Sequence, residues 1–465
     1  MLLGLAAAFD DHFQHFPWLF SALFGWLLLL FLLLALFPSF SANLSLQLVS
    51  PRRALIALFR APNPTEHYLA FLDIFRIGAI CWVISNHLGS EGRLDSVHSL
   101  PIFGPILGNS ALGVEVFLVL SGFLAARSWH RRWQSDLGFW PNSLNFLLHR
   151  WLRLAPTTMA FVFLAAEMSR LAFPLFHQTI AANCTGAQFF SFALLLNNWN
   201  RPNCFGYLWH FGLDWQCHLI APFLLHLLFR RQSVGLNVVA VLVIGSMCLR
   251  AFKCVSNGIC NKSDVDIPFV SVRPEHVSLV QMYMRPMTKC GPFLVGLLLG
   301  VFSLSLTVSS PPKWAEKLKT QQKKLFCAGF CLAVGCVYGI LPEYWYPNDG
   351  VTLYNTLYTA SFRTLFACGI GLMMLSCLLS TKSSFRPRLI HRIFAVFARL
   401  TFSVALTHMP IVFLFTRITA FQETESPFSL IIALPPAILM SFTVATIFYC
   451  FIHWPISQII SRIIK

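Results

Sequence analysis

The run LDIFRIGAICWVISNH, residues 72–87, places three ionisable side chains in one apolar stretch: Asp73, Arg76 and His87. Such groups are costly in apolar surroundings and default to functional roles. Arg76 and His87 are eleven residues apart. At ~100° per residue that is ~1100°, within ~20° of three full turns, so a helix carries both on one face. They then lie ~16 Å apart along the axis. Asp73 sits one turn before Arg76 and can pair with it. The stripe therefore has a cation at one end and an imidazole at the other. An imidazole titrates near neutrality and suits general acid–base work. A guanidinium holds phosphates bidentately. The competing reading is a snorkelling arginine and an interfacial histidine.

Composition gives the class of scaffold that must hold this stripe. Of 465 residues, 56% are apolar and 11% charged, with 46 Phe and 13 Trp. An ordinary soluble domain carries roughly 25% charged residues. A polytopic membrane protein is the class that accommodates these figures. The formal charge of +16 would suggest nucleic acid on a soluble protein. Here the basic residues fall between apolar runs and read as topology signals, with no nucleic acid expected. No zinc-type cysteine pairs, Walker motif or strand-linked glycine fingerprint is present, and no metal is expected.

A membrane helix needs ~20 apolar residues. Candidate spans are 17–37, 68–88, 111–126, 155–176, 215–229, 234–252, 290–309, 325–341, 361–380, 400–416 and 428–451. The fold expected is all-α, with about eleven spans. The first span lacks a small-residue cleavage site and reads as a retained signal anchor. Residues 1–60 then form an anchor helix and cytosolic linker, and residues 61–465 the main transmembrane domain. One set of alternate loops holds 22 of the 34 basic residues, among them Arg127, Arg131, Arg132, Arg150, Arg153 and Arg399, and only Glu66, Asp136 and Glu316 as acids. That side is expected to be cytosolic, with the amino terminus outside and the carboxyl terminus inside.

The opposite side carries its own signs. Asn183-Cys184-Thr185 and Asn261-Lys262-Ser263 are glycosylation sequons in its two long loops, 177–214 and 253–289. Asn43-Leu44-Ser45 falls on the cytosolic side, where no glycan is expected. The two loops hold Cys184, Cys204, Cys254 and Cys260, an even number in an oxidising compartment. The local pairings are Cys184–Cys204 and Cys254–Cys260. His218 and His226, eight residues apart, share a helix face and could line a cavity. Ser121 in SGF reads as a small residue for close helix packing rather than a nucleophile.

The 72–87 run resembles the opening Arg-x10-His motif of the membrane acyltransferase-3 family, whose animal branch contains the nose-resistant-to-fluoxetine proteins. Further likenesses follow in the family's order. GVEVFLVLSGFLAAR (113–127) is similar to its acidic–x–Phe-Phe-x-Leu-Ser-Gly segment, through Glu115, Ser121 and Gly122. HRWLRLAP (149–156) resembles its Arg-x-x-Arg-Leu-x-Pro motif, through Arg150, Arg153 and Pro156. CFGYLWHFGLDWQCHLIAP (204–222) resembles the animal Cys…Trp-Tyr-Leu-x-x-Asp-x-Gln segment, through Cys204, Trp209, Asp214 and Gln216. MYMRPMTKCGPFLVGLLLG (282–300) and RLTFSVALTHMPIV (399–412) resemble two late segments, the second through His408. Lys289 stands where the family usually has arginine, and His210 where it usually has tyrosine.

The resemblance implies a ten-helix acyltransferase core with an additional amino-terminal helix. It implies an O-acyltransferase that takes an acyl group from cytosolic acyl-CoA, as co-substrate, and delivers it to a hydroxyl at the lumenal or extracellular face. The acceptor's class stays open: lipid, sterol, glycan or small molecule. His87 is the expected base and Arg76 the donor-side anchor, with Glu115 or Asp214 orienting the imidazole. Arg150, Arg153 and Lys289 are expected on the donor, and Asp73, Trp209, Gln216 and His408 on the substrate side. The expected setting is the bilayer of the endoplasmic reticulum or plasma membrane. A second reading is a lipid or small-molecule transporter with Asp73, Arg76 and His87 as a relay.

Overall fold

A computed structural model describes residues 50–60, 69–92, 102–172, 176–181, 184, 186–199, 204–260, 282–306, 313–345, 352–380, 388–416 and 428–463. The expected span 17–37 and the sequon residues Asn43, Asn183 and Asn261 lie outside them. Every regular element among the described residues is a helix. The main ones are α1 (Pro51–Phe59), α2 (Phe71–Gly92), α3 (Gly113–Arg132), α4 (Phe139–Ala172), α5 (Trp209–Arg230), α6 (Gln232–Ser256), α7 (Gly291–Ser305), α8 (Gln322–Tyr338), α9 (Leu353–Leu379), α10 (Arg388–Thr416), α11 (Phe428–Phe448) and α12 (Trp454–Ile463). A π-helical turn, Tyr449–His453, joins α11 to α12.

The other ten expected spans each overlap a helix. Among the described residues, six helical stretches are long and apolar enough to cross a bilayer: those of α2, α3, α6, α9, α10 and the α11–α12 run. The chain is an all-α, multi-pass membrane protein. α4 runs for 34 residues, well beyond the span expected, and starts before the Arg150–Arg153 motif. The two arginines therefore sit inside a helix, not in a loop. Arg399 likewise lies within α10.

Close approach between α3 and α7 depends on missing side chains. A Cβ on Gly122 would fall 2.0 Å from the Phe293 carbonyl oxygen, and one on Gly296 would fall 2.0 Å from that of Val119. Each is a backbone contact that no rotamer change relieves. Membrane helices bury little water-exposed area against each other, so close packing of this kind carries association. Gly296→Ala should lower stability by ~1–3 kcal/mol as α7 is forced off α3. Thermal unfolding of the detergent-solubilised variant checks this; a midpoint equal to that of the unsubstituted protein would refute it.

α1 occupies the segment expected to be a linker. It packs on α10 and the π-helical turn. A helix ends with carbonyls that lack partners. Arg399 supplies them here: its Nη1 donates to the carbonyls of Leu58 (2.5 Å) and Arg60 (2.7 Å).

The disulfides are Cys184–Cys204 and Cys254–Cys260. The first ties the turn after α4 to the residues that lead into α5. The second closes the end of α6. α5 starts and α6 finishes at the same end of the bundle, because their other ends meet at Arg230–Gln232. α3 ends and α4 begins across a short connection at residues 133–138, at the arginine-rich end.

Candidate active site

A cavity of about 1250 Å³ runs among α2, α3, α4, α5, α10 and the π-helical turn. Asp73, Arg76 and His87 all line it. One helix face thus delivers the whole stripe into a single space. Asp73 accepts a hydrogen bond from Arg76 Nη1 at 3.1 Å. Seven arginines line the cavity: Arg76, Arg127, Arg131, Arg132, Arg150, Arg153 and Arg399. Among the described residues, its acidic lining is Asp73 and Asp214.

His87 lies toward the other end, beside His408 of α10. Their ring centres are 5.2 Å apart. Tyr207 meets the His408 ring edge-on at 5.4 Å, and His210 completes the wall. Local chemistry explains the placement of Tyr207. Pro410 has no backbone N–H, so the Leu406 carbonyl four residues earlier loses its helical donor. The Tyr207 hydroxyl donates to that carbonyl at 2.8 Å. Pro410 thereby opens a bonding position that anchors Tyr207 beside the two imidazoles.

A second polar knot sits deeper in the basic half. Arg150 donates from Nε (2.9 Å) and Nη2 (2.5 Å) to Asp214 Oδ2. It also donates from Nη2 to Ser121 Oγ at 3.0 Å. The Ser121 hydroxyl donates to Asp214 Oδ1. His218 bonds through Nδ1 to the Asp214 backbone carbonyl at 2.8 Å. Asp214 is therefore bound to Arg150 and Ser121, not to His87. Arg150 stands eleven residues into α4, ~16 Å along its axis, rather than in a loop. Ser121 serves this knot, while its neighbour Gly122 makes the close helix contact. His218 lines the cavity, whereas His226 packs on Phe139 with ring centres 4.9 Å apart.

Glu115 and Lys289 turn away from the cavity. The Lys289 ammonium lies 2.8 Å from Glu115 Oε1, and Arg363 Nη1 donates to the same oxygen. All three side chains are buried. Lys289 stands over the Tyr283 ring at 3.6 Å and faces Trp209 at 5.0 Å. Tyr283 and Trp209 form part of the cavity wall. The pair thus supports the wall from behind, and Lys289 does not join the cavity arginines. Gln216 braces the loop before α5. Its Oε1 accepts from Trp199 Nε1 at 2.9 Å, and its Nε2 donates to Asn198 Oδ1 at 2.6 Å.

Sequence reasoning did not single out Arg363, Arg250, Tyr207, Tyr283 or His453. Arg250 is buried and donates from Nε to the Thr359 carbonyl at 2.9 Å. His453 lines the cavity and meets Ser403 Oγ at 3.0 Å through Nδ1. A signal existed for Arg250 and Arg363, since both are cations inside apolar runs. No group of three or more metal-ligating side chains occurs among the described residues.

Comparison with known proteins places this geometry in a family. Residues 69–454 match the acyltransferase-3 family profile, described as "Acyltransferase domain". The chain is 43% identical over 417 residues to "Regulator of hypoxia-inducible factor 1" of Caenorhabditis elegans, covering 85% of this chain and 80% of that protein. It is 22% identical over 368 residues to "Nose resistant to fluoxetine protein 6" of the same organism, covering 72% of this chain and 44% of that protein. No solved structure matches. The Arg76–His87 stripe, the Arg150–Arg153 motif and His408 all fall within the matched region, and the chain belongs to the membrane acyltransferase-3 family.

Proposed function

We propose that the protein transfers an acyl group from acyl-CoA, entering at the arginine-rich end, to a hydroxyl acceptor at the imidazole end. One observation carries this reading: a single cavity joins seven arginines to His87 and His408. The donor carries several phosphate charges, and guanidinium groups bind such oxygens bidentately. Arg76 anchors the donor from the same helix that presents His87. Arg153 and Arg399 add positive charge along the route. The donor thioester reaches toward the imidazoles, and His87 removes the proton of the acceptor hydroxyl. The hydroxyl oxygen forms a bond to the acyl carbon as the carbon–sulfur bond breaks. The proton leaves with the thiolate as free CoA thiol.

The basic side faces the cytosol on this reading, and the disulfide side faces the lumen or exterior. The membrane is one of the secretory pathway. Incubation of purified protein with acyl-CoA and candidate alcohols tests the proposal. Free CoA thiol should appear in step with ester. Arg76→Lys should raise donor KM by at least ~tenfold, because it keeps the charge and loses the planar fork. Movement of a lipid or small molecule without donor consumption would instead support a transporter in which the same stripe relays charge.

A further inference from the structure

His408 has a fixed tautomer. Its Nδ1 lies 2.9 Å from the Val404 carbonyl oxygen, one helical turn earlier. A carbonyl only accepts, so Nδ1 carries the hydrogen. The other nitrogen, Nε2, is then a lone-pair acceptor in the neutral ring. That nitrogen is buried and has no hydrogen-bond partner, in a side chain 1% exposed. A histidine retained for packing alone would be expected to satisfy such a nitrogen.

The acceptor adjoins His87, whose Nδ1 is also buried. The rings are tilted by 37° with centres 5.2 Å apart and are not hydrogen-bonded to each other in this structure, but that separation is one that an N–H···N bond of roughly 2.9 Å spans once the rings are turned in line. A base histidine in acyl transfer is commonly oriented by a third group that holds the imidazolium. The obvious carboxylates are engaged elsewhere. Glu115 binds Lys289 and Arg363, Asp214 binds Arg150 and Ser121, and Asp73 binds Arg76. The polar side chains around His87 at this end include Asn86, its buried chain neighbour, Tyr207, whose hydroxyl donates to Leu406, and His210, whose Nδ1 meets the Tyr207 carbonyl at 3.2 Å.

We propose that His408 is the positioning residue of the centre, with its Nε2 accepting the Nδ1–H of His87 as His87 takes the acceptor's proton. This rests on the acyl-transfer reading. The Val404 carbonyl fixes His408, His408 orients His87, and His87 Nε2 faces the hydroxyl. As the ester C–O bond forms and the thioester C–S bond breaks, the positive charge on His87 is shared with a neutral imidazole. The proton then passes from His87 to the departing thiolate.

Two substitutions test it in the full-length protein. His408→Phe keeps a ring in the packing site and removes the acceptor. His408→Gln keeps an oxygen that can accept. The Phe variant should lose at least ~100-fold in kcat with donor KM within ~threefold, and the Gln variant should stay at least ~tenfold faster than Phe. In the His87→Ala background, His408→Phe should cost less than ~twofold further, because the two residues act as one unit. Near-normal kcat in His408→Phe would overturn the proposal and leave acyl transfer standing. Equal loss in Phe and Gln variants that remain monodisperse and bind donor would also overturn it. Absence of CoA release in the unsubstituted protein removes the acyl-transfer reading itself, and this assignment with it.

Discussion

His87→Ala should lower acyl transfer by ~10²–10⁴-fold while the protein stays inserted and monodisperse, the range expected for removal of a general base. The side chain is 6% exposed, so truncation of such a residue would ordinarily raise a question of folding. The cavity answers it. His87 already borders a space of about 1250 Å³, so the lost ring enlarges an existing cavity rather than opening a void in close-packed core. Its helix is held independently by Ile80, Ile84 and Leu88, which lie in the same buried cluster as Val404 and Met409 of α10. The loss should therefore fall on kcat. Donor affinity should change little, because Arg76 stands ~16 Å away along the helix. Turnover of acyl-CoA and equilibrium binding of donor, measured on the same preparation, separate the two. Turnover close to that of the unsubstituted protein would dismiss His87 as the base. Weak donor binding with normal turnover at saturation would assign it to recognition instead.

The stripe on α2 was legible because helical period is a local property. Spacing alone puts Asp73, Arg76 and His87 on one face, and they line one cavity. The apolar runs were legible for the same reason. Contacts between helices were not. Ser121, Arg150 and Asp214 come from three helices, and no periodicity relates them. Sequence assigns Arg150 to a cytosolic loop because inside-positive counting treats charges between apolar runs as loop charges. α4 instead starts at Phe139 and carries Arg150 into the bundle. Glu115 reads as a candidate to orient His87 because the two share a depth, His87 late in α2 and Glu115 in the first turn of α3. Depth does not specify direction, and Glu115 faces Lys289 and Arg363. The ion pair from Glu115 to Arg363 spans 248 residues, beyond any local pattern. Pro410 shows the intermediate case. Its effect on the Leu406 carbonyl follows from sequence, but the identity of the group that fills it, Tyr207, needed the fold.

Glu115 should be the position where one substitution costs the most stability. Its carboxylate is 0% exposed and bonded to both Lys289 and Arg363, themselves 1% and 2% exposed. Arg250, 2% exposed, lies within electrostatic reach of the same carboxylate. Removing one partner of a buried ion pair leaves the other charge uncompensated, at a typical cost of ~3–5 kcal/mol. Glu115→Ala leaves Lys289 and Arg363 in that position together, so the upper part of that range is expected. Lys289→Met should cost less, because Arg363 still neutralises the carboxylate. The double variant Glu115→Gln, Lys289→Met should recover part of the loss, since it removes a charge of each sign and keeps the volume. Expression, monodispersity and thermal unfolding of the four proteins measure this order. The same cluster reaches the chemistry through packing. Lys289 stands behind the rings of Tyr283 and Trp209, which form the cavity wall. A Glu115 variant that remains folded should therefore show altered acceptor use while the arginine end still binds donor. A Glu115→Ala protein as stable as Lys289→Met would show that the carboxylate does not hold the cluster, and would leave the wall supported by aromatic packing alone.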